Sequence, residues 1–275
     1  MKTGADIKLL KKKARWVRRQ VLEMVAAAGK GHIGGALSCT DILVTLFHGG
    51  VLRFDPHNPA WEGRDRFILS KGHSSVALYA VLADLGFFPV SDLGSFCRNG
   101  TFLGGHPDKN IPGIEVDSGA LGHGLAIGSG LALAAGMDRK DNVTVVLMGD
   151  GECQEGSVWE AAMFAAQHRL TNLVAVIDKN GQGVTDYIDD SVSLEPFAEK
   201  WRGFNWEVRE IDGHSFEELL GAFKDIRSRS SQKPLAVIAR TIKGKGVSFM
   251  EGVLEWHHAV PSGNNLEKAR RELAL

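Results

Sequence analysis

Gly149-Asp150-Gly151 is followed, after 28 residues, by Asn180. The two positions offer one carboxylate, one neutral amide carbonyl and two residues without side chains. That set suits a hard divalent cation held beside a phosphate. Mg2+ takes oxygen ligands in near-octahedral geometry and is usually bound by one or two protein groups plus phosphate oxygens. Asp150 would supply charge and Asn180 a carbonyl, while Gly149 and Gly151 let backbone approach the anion. A helix starting near Gly156 would add free N–H groups and a positive dipole end. An isolated Asp-Gly pair is ordinarily a turn, so the flanking chain must carry the argument.

Ten histidines are present, and three stand in glycine-rich loops, Gly31-His32 with Gly34-Gly35, Ser70-Lys71-Gly72-His73 and Gly105-His106-Pro107, with a fourth in the Trp256-His257 segment. A single loop histidine is usually a solvated polar residue. Four such segments point to chemistry in which protons move on substrate oxygens near neutral pH, which is the range of imidazole. His48, His57, His168 and His214 have no such context and read as ordinary polar residues. Lys243, in Ile242-Lys243-Gly244, reads equally as a site cation or a solvated lysine.

These residues need a frame that gathers them. Val143–Met148 is a continuous, β-branched apolar run, as a strand buried on both faces would be. Residues 157–167 have helical spacing and Leu173–Ile177 is a second buried run. Asp150 and Asn180 each lie just past one of these strands. A right-handed βαβ unit brings both to the carboxyl edge of the sheet, where open α/β sheets bind ligands. A helix over 217–226 and a strand over 235–239 continue the alternation. Phe67–Ser70 reads as a further strand, running into the Lys71-Gly72-His73 loop.

Apolar spacing predicts helices over 6–28, 39–47 (capped by Ser38 or Thr40), 75–85 (closed by Gly86) and 122–135. Residues 30–35 read as a glycine-rich break, 98–120 as a long loop and 241–264 as a loop-rich rim. The expected fold class is α/β: a parallel sheet flanked by helices, in one domain spanning 1–275.

Bulk properties narrow the functions. Net charge is −1 and no basic face is apparent, which argues against nucleic acid. Glycine, at 33 of 275 residues, exceeds its average usage of about 7% and suggests tight loops near ligands. Cys39, Cys97 and Cys153 fit neither a disulfide framework nor a zinc site, so a cytoplasmic setting is expected. The basic stretch from Lys2 to Arg19 reads as an amphipathic surface helix, and no apolar run is long enough to span a membrane.

Gly149-Asp150-Gly151…Asn180 resembles the motif of the thiamine-diphosphate enzymes, and the run from Gly149 to Ala161 (GDGECQEGSVWEA) resembles the transketolase family. The three Gly-His loops and Trp256-His257 match that family in order, through nearly the whole chain. The resemblance implies thiamine diphosphate and Mg2+ as cofactors, with Ca2+ or Mn2+ able to take the same oxygen ligands. It implies Asp150, Asn180 and the main-chain carbonyl of Gln182 as metal ligands. His32 and His257 would touch donor hydroxyl and carbonyl oxygens, and His106 would orient the substrate. His73 and His257 would lie on the diphosphate, with Gly151 beside it. Gly119-Ala120-Leu121-Gly122 resembles the family loop that packs on the thiazolium, with Val184 on the same ring and Glu155 and Lys243 nearby. Ile33 and Ala120 replace family prolines and His123 replaces a glutamine, all bordering the substrate channel.

The family chain is more than twice this long, and its other half carries the pyrimidine-binding domain. The resemblance therefore implies a split enzyme: a separate C-terminal subunit, an α2β2 assembly, and transfer of a two-carbon ketol group between sugars or sugar phosphates. Beside a deoxyxylulose-phosphate-synthase-like enzyme, two alternatives stay open at this point. One is the α subunit of a 2-oxo-acid dehydrogenase, which lacks the Gly-His series. The other is a non-catalytic binding subunit of the same descent.

Overall fold

A computed structural model describes residues 6–274; residues 1–5, with Lys2 of the basic stretch, and Leu275 lie outside the described residues. Five strands, β1 (Arg66–Leu69), β2 (Thr144–Gly149), β3 (Leu173–Lys179), β4 (Glu207–Asp212) and β5 (Leu235–Arg240), form one sheet in the order β1-β2-β3-β5-β4. Every pairing is parallel. All five carboxyl ends therefore share one edge, and every connection must cross over a face.

Alternation along the strands divides the core in two. Val145 and Leu147 of β2, Val174 and Val176 of β3, and Leu235 and Val237 of β5 face one apolar cluster. Val146 and Met148, Ala175 and Ile177, and Ala236 and Ile238 face the other. Side chains alternate across a strand, and a sheet buried on both faces needs apolar residues at both phases. Helices α1 (Ile7–Ala28), α2 (Ile33–Ser38), α3 (Thr40–His48), α4 (Ser75–Asp84) and α9 (Phe216–Phe223) cover the first face, with α10 (Gly263–Glu272) packed on α1. Helices α5 (Gly124–Met137), α6 (Gly156–Gln167) and α8 (Phe197–Gly203) cover the second. The short α7 (Ile188–Ser191) sits in the loop after β3.

Helix α1 shows why these segments fold locally. Leu10, Ala14, Val17, Val21 and Val25 make one buried stripe, the Asp6 side chain accepts from the Lys8 N–H at 2.9 Å, and Gly29 closes the helix in the left-handed region.

Several expectations are corrected. The break at 30–35 ends at His32, because Ile33 to Ser38 is already helical. Cys39, not Ser38 or Thr40, precedes α3, and no side chain caps it. Ser38 Oγ donates instead to Asp178, at 2.6 Å, and Thr40 Oγ1 to the Ala36 carbonyl. The helix expected over 217–226 ends at Phe223. The sequence patterns predict neither strand β4 nor helices α8 and α10. β4 carries four charges in six residues, which an edge strand tolerates because only one side is paired.

Candidate active site

The candidate residues converge on the carboxyl edge. Asp150 follows β2, Asn180 and Gln182 follow β3, His73 follows β1 through a tight 72–74 turn, and Lys243 follows β5. β2 and β3 are neighbours, with Gly149 level with Asp178, so the two halves of the Gly-Asp-Gly…Asn motif end side by side. Asp150 Oδ1 accepts from Gly151 N (2.9 Å) and Oδ2 from Gly181 N (2.6 Å). Burial nevertheless pushes its carboxyl up to about 6. Asn180 Oδ1 accepts from Gln182 N at 3.1 Å, and Lys243 Nζ stands 3.5 Å from the Gln182 carbonyl oxygen and donates to that of Gly183. Burial, then the Lys71 charge, brings Lys243 down to about 8.

The four loop histidines meet. The His32 ring centre lies 5.4 Å from His73, 5.4 Å from His257 and 6.2 Å from His106, and His73 is 5.5 Å from His257. Their loops interlock through missing side chains. A Cβ on Gly34 would stand 2.7 Å from the Trp256 carbonyl oxygen, and one on Gly119 2.7 Å from the His106 ring. Gly119 also holds φ of +134°, open essentially to glycine alone. Burial, followed by the Lys71 charge, pushes His73 down to about 2. Burial, then Lys243, pushes His257 down to about 3, and His32 is lowered by burial and by His106. These rings are therefore neutral near pH 7. Among the described residues no three His, Cys, Asp or Glu side chains are grouped to hold a metal.

The remaining candidates border this cluster. Ala120 lines a cleft of about 350 Å3 with Ser70, Ser118 and His123. Leu121 is 37% exposed and Val184 56%, leaving both apolar surfaces free to take a ring. Glu155 is exposed at the start of α6, and its side chain makes no capping hydrogen bond there.

Four features escaped the sequence reading. His258 is a fifth imidazole, 5.8 Å from His257 and 6.2 Å from His32; the adjacent His-His pair was its only signal. Lys71, inside a recognised loop, is fully buried and paired with Asp178, which also accepts from Ser38 and Thr241. Burial alone would raise the Asp178 carboxyl, but the Lys71 charge and the hydrogen bonds from Lys71, Ser38 and Thr241 together hold it low. Glu152 takes the Ser70 hydroxyl and the Gly122 N–H on one oxygen and the Gly149 N–H (3.2 Å) on the other. It thus ties the metal motif to the 119–122 loop. Finally, the His214 ring bridges Asp41 on α3 and the backbone of Ile242 after β5.

Whether the residues fit a diphosphate and a cation can be tested on unpaired polar atoms. Ser74 Oγ, Ser118 Oγ, Gln182 Oε1 and His257 Nδ1 are buried without a hydrogen-bond partner. A buried polar group without a partner costs about 1–3 kcal/mol, so several in one region mark a place built for a polar ligand. Lys243, the imidazoles and the free N–H groups at the start of α6 suit an anion; Asp150, the Asn180 carbonyl and the Gln182 main chain suit a hard cation. The residues fit both groups.

An α/β domain with a glycine-lined, histidine-rich site at its carboxyl edge defines a class that comparisons narrow. The transketolase thiamine diphosphate binding domain matches residues 10–275, and the chain belongs to that family. It is 46% identical to an apulose-4-phosphate transketolase subunit from Phocaeicola vulgatus, over 94% of this chain and 91% of the relative. It is 43% identical to the 6-deoxy-6-sulfo-D-fructose transketolase subunit SqwG of a Clostridium species, over 90% of each. Human transketolase is 34% identical over 97% of this chain, which spans only 42% of that protein. Transketolase from Campylobacter jejuni superposes with a TM-score of 0.91 at 32% identity, over 98% of this chain and 43% of that one. The family match selects the transketolase reading over the 2-oxo-acid dehydrogenase alternative.

Proposed function

We propose that the chain is the diphosphate- and metal-holding half of a two-subunit transketolase, moving a two-carbon ketol group from a ketose or its phosphate to an aldose or its phosphate. One observation carries the reading: imidazoles from four separate loops converge beside the Asp150–Asn180 edge. Asp150, Asn180 and the Gln182 carbonyl would hold Mg2+, and His73, Gly151 and Lys243 would face the diphosphate. Gly119, Ala120, Leu121 and Val184 would form the thiazolium wall, with Glu155 at its margin. Bound thiamine diphosphate supplies the electron sink that lets a C–C bond next to a carbonyl break and form. The chain's task is proton control. His32 and His257, held neutral, can take a proton from a donor hydroxyl and return it to the acceptor oxygen. His106 would orient the sugar.

The 119–122 loop and Glu155 lie at an exposed margin, so a second polypeptide is needed to enclose the ring. Relatives named as transketolase subunits, matched over 90% or more of their length, support a separate partner. The proposed partner carries the pyrimidine-binding domain, in an α2β2 assembly in the cytoplasm. No described helix is long and apolar enough to cross a membrane.

The test has two parts. Titration of the purified chain with thiamine diphosphate and Mg2+ should show binding that Asp150→Ala abolishes. The two-chain complex should transfer ketol groups, the isolated chain should not, and Asp150→Ala should remove at least about 100-fold of the activity, in keeping with loss of a metal site. A complex fully active with Asp150→Ala would instead favour the non-catalytic reading.

A further inference from the structure

His214 sits in the turn between β4 and α9, where its own N–H donates to Asp212 Oδ1 at 2.8 Å. Its ring is clamped at both nitrogens. Nδ1 lies 2.7 Å from Asp41 Oδ2, and Nε2 lies 2.9 Å from the backbone nitrogen of Ile242. Asp41, buried on α3, is held by a two-pronged Arg18, at 2.9 and 2.7 Å, and so stays an ionised acceptor. A carboxylate can only accept and a backbone N–H can only donate. The ring must therefore carry its proton on Nδ1 and leave Nε2 bare, a single tautomer set from both ends.

Ile242 is the residue before Lys243. The segment is also pinned from inside the site: Thr241 N donates to the Lys179 carbonyl (3.0 Å), Thr241 Oγ1 to Asp178, and Gly244 N to the Gly34 carbonyl (3.0 Å). His214 pins it from the opposite side, linking it to α1 and α3 through Arg18 and Asp41. Lys243 is thereby aimed at the carbonyls of Gln182 and Gly183.

We propose that His214 is a positioning residue: as a neutral Nδ1–H imidazole braced by Asp41, it fixes the Ile242–Lys243 segment and so places the Lys243 ammonium at the cation and diphosphate end of the site. The link to diphosphate rests on the functional reading above; the pinning of Ile242 does not.

Two kinds of measurement separate these, the first of them spectroscopic. Ring 15N shifts should show the Nδ1–H tautomer in the ligand-free chain. Amide exchange at Ile242 should speed up in His214→Phe and stay slow in His214→Gln, whose amide can donate to Asp41 and accept from Ile242. An Nε2–H tautomer, or unchanged exchange in His214→Phe, overturns the proposal. The second measurement is a double-mutant cycle read by thiamine diphosphate affinity at fixed Mg2+. His214→Phe should weaken binding about 10-fold, His214→Gln less than about 3-fold, and His214→Phe added to Lys243→Met less than about 2-fold, because coupled residues are non-additive. An equal loss in both backgrounds shows that His214 does not act through Lys243. A two-chain complex that binds no thiamine diphosphate removes the functional reading, while tautomer and exchange still decide the pinning. If His214→Phe does not fold, the tautomer and the glutamine variant decide it.

Discussion

His73 and His257 are held neutral where a charge would be costly, and this makes the chain sensitive to acid. Both have folded pKa values, about 2 and about 3, below the ordinary histidine value. The unfolded chain therefore takes up protons first as pH falls. The stability they contribute is complete above about pH 6.5 and is lost progressively below it. For His73, the more enclosed ring, the loss between pH 7 and pH 5 is about 2 kcal/mol. Urea melts at the two pH values should show that difference, and His73→Asn should remove it. An unchanged pH slope in the variant would mean that the ring already charges in the folded state. The sequence displays His73 because it stands in a short glycine-marked loop, and His257 because it follows Trp256 in the Trp-His pair that resembles the family's C-terminal histidine. It does not display Lys71–Asp178, Ser70–Glu152 or Asp41–His214, whose partners lie 107, 82 and 173 residues apart. Such pairs follow from which loops meet at the sheet edge, and no local pattern encodes them.

At the scale of elements, α2 and the Leu254–His257 turn are fitted backbone against backbone. Gly34→Ala would set a methyl 2.7 Å from the Trp256 carbonyl and 3.1 Å from the Lys243 stem. A carbonyl cannot rotate away as a side chain can, so the expected loss is about 1–3 kcal/mol, with weaker thiamine diphosphate binding as His257 is displaced. Gly130→Ala on α5 is the control, because a Cβ there meets nothing within 4 Å. It should stabilise by roughly 0.4–1 kcal/mol. Paired denaturation curves decide the matter, and similar effects at both sites would show that the α2 contact is loose. This fitting explains why Gly34-Gly35 reads as a break but folds as a helix: the glycines serve close approach, not chain reversal. The central strands were legible because burial on both faces demands unbroken apolar runs. β4 was not, because its Arg209 pairs with Glu207 and Asp225, so its charges look like a solvated loop in the sequence.

The whole molecule leaves one face unfinished. Helix α5 has no charged residue, yet Ile127 is 39% exposed; Met163 and Phe164 of the neighbouring α6 are exposed as well. A helix apolar on all sides is normally enclosed. Ile127 also lines the cleft that contains Ala120, so whatever covers this face reaches the proposed thiazolium wall. On the functional reading the occupant is the partner chain. Ile127→Lys should then change the stability of the isolated chain by less than about 0.5 kcal/mol, as a surface substitution does. In the assembly the same lysine would be buried without a counter-charge, a placement that costs several kcal/mol. Sedimentation of the co-purified two-chain complex should show it dissociating in the variant at concentrations where the wild type stays intact. A variant that assembles normally places the partner elsewhere. One that loses only a self-association of this chain makes the face a contact between two copies, with the partner closing over the loop from its other side.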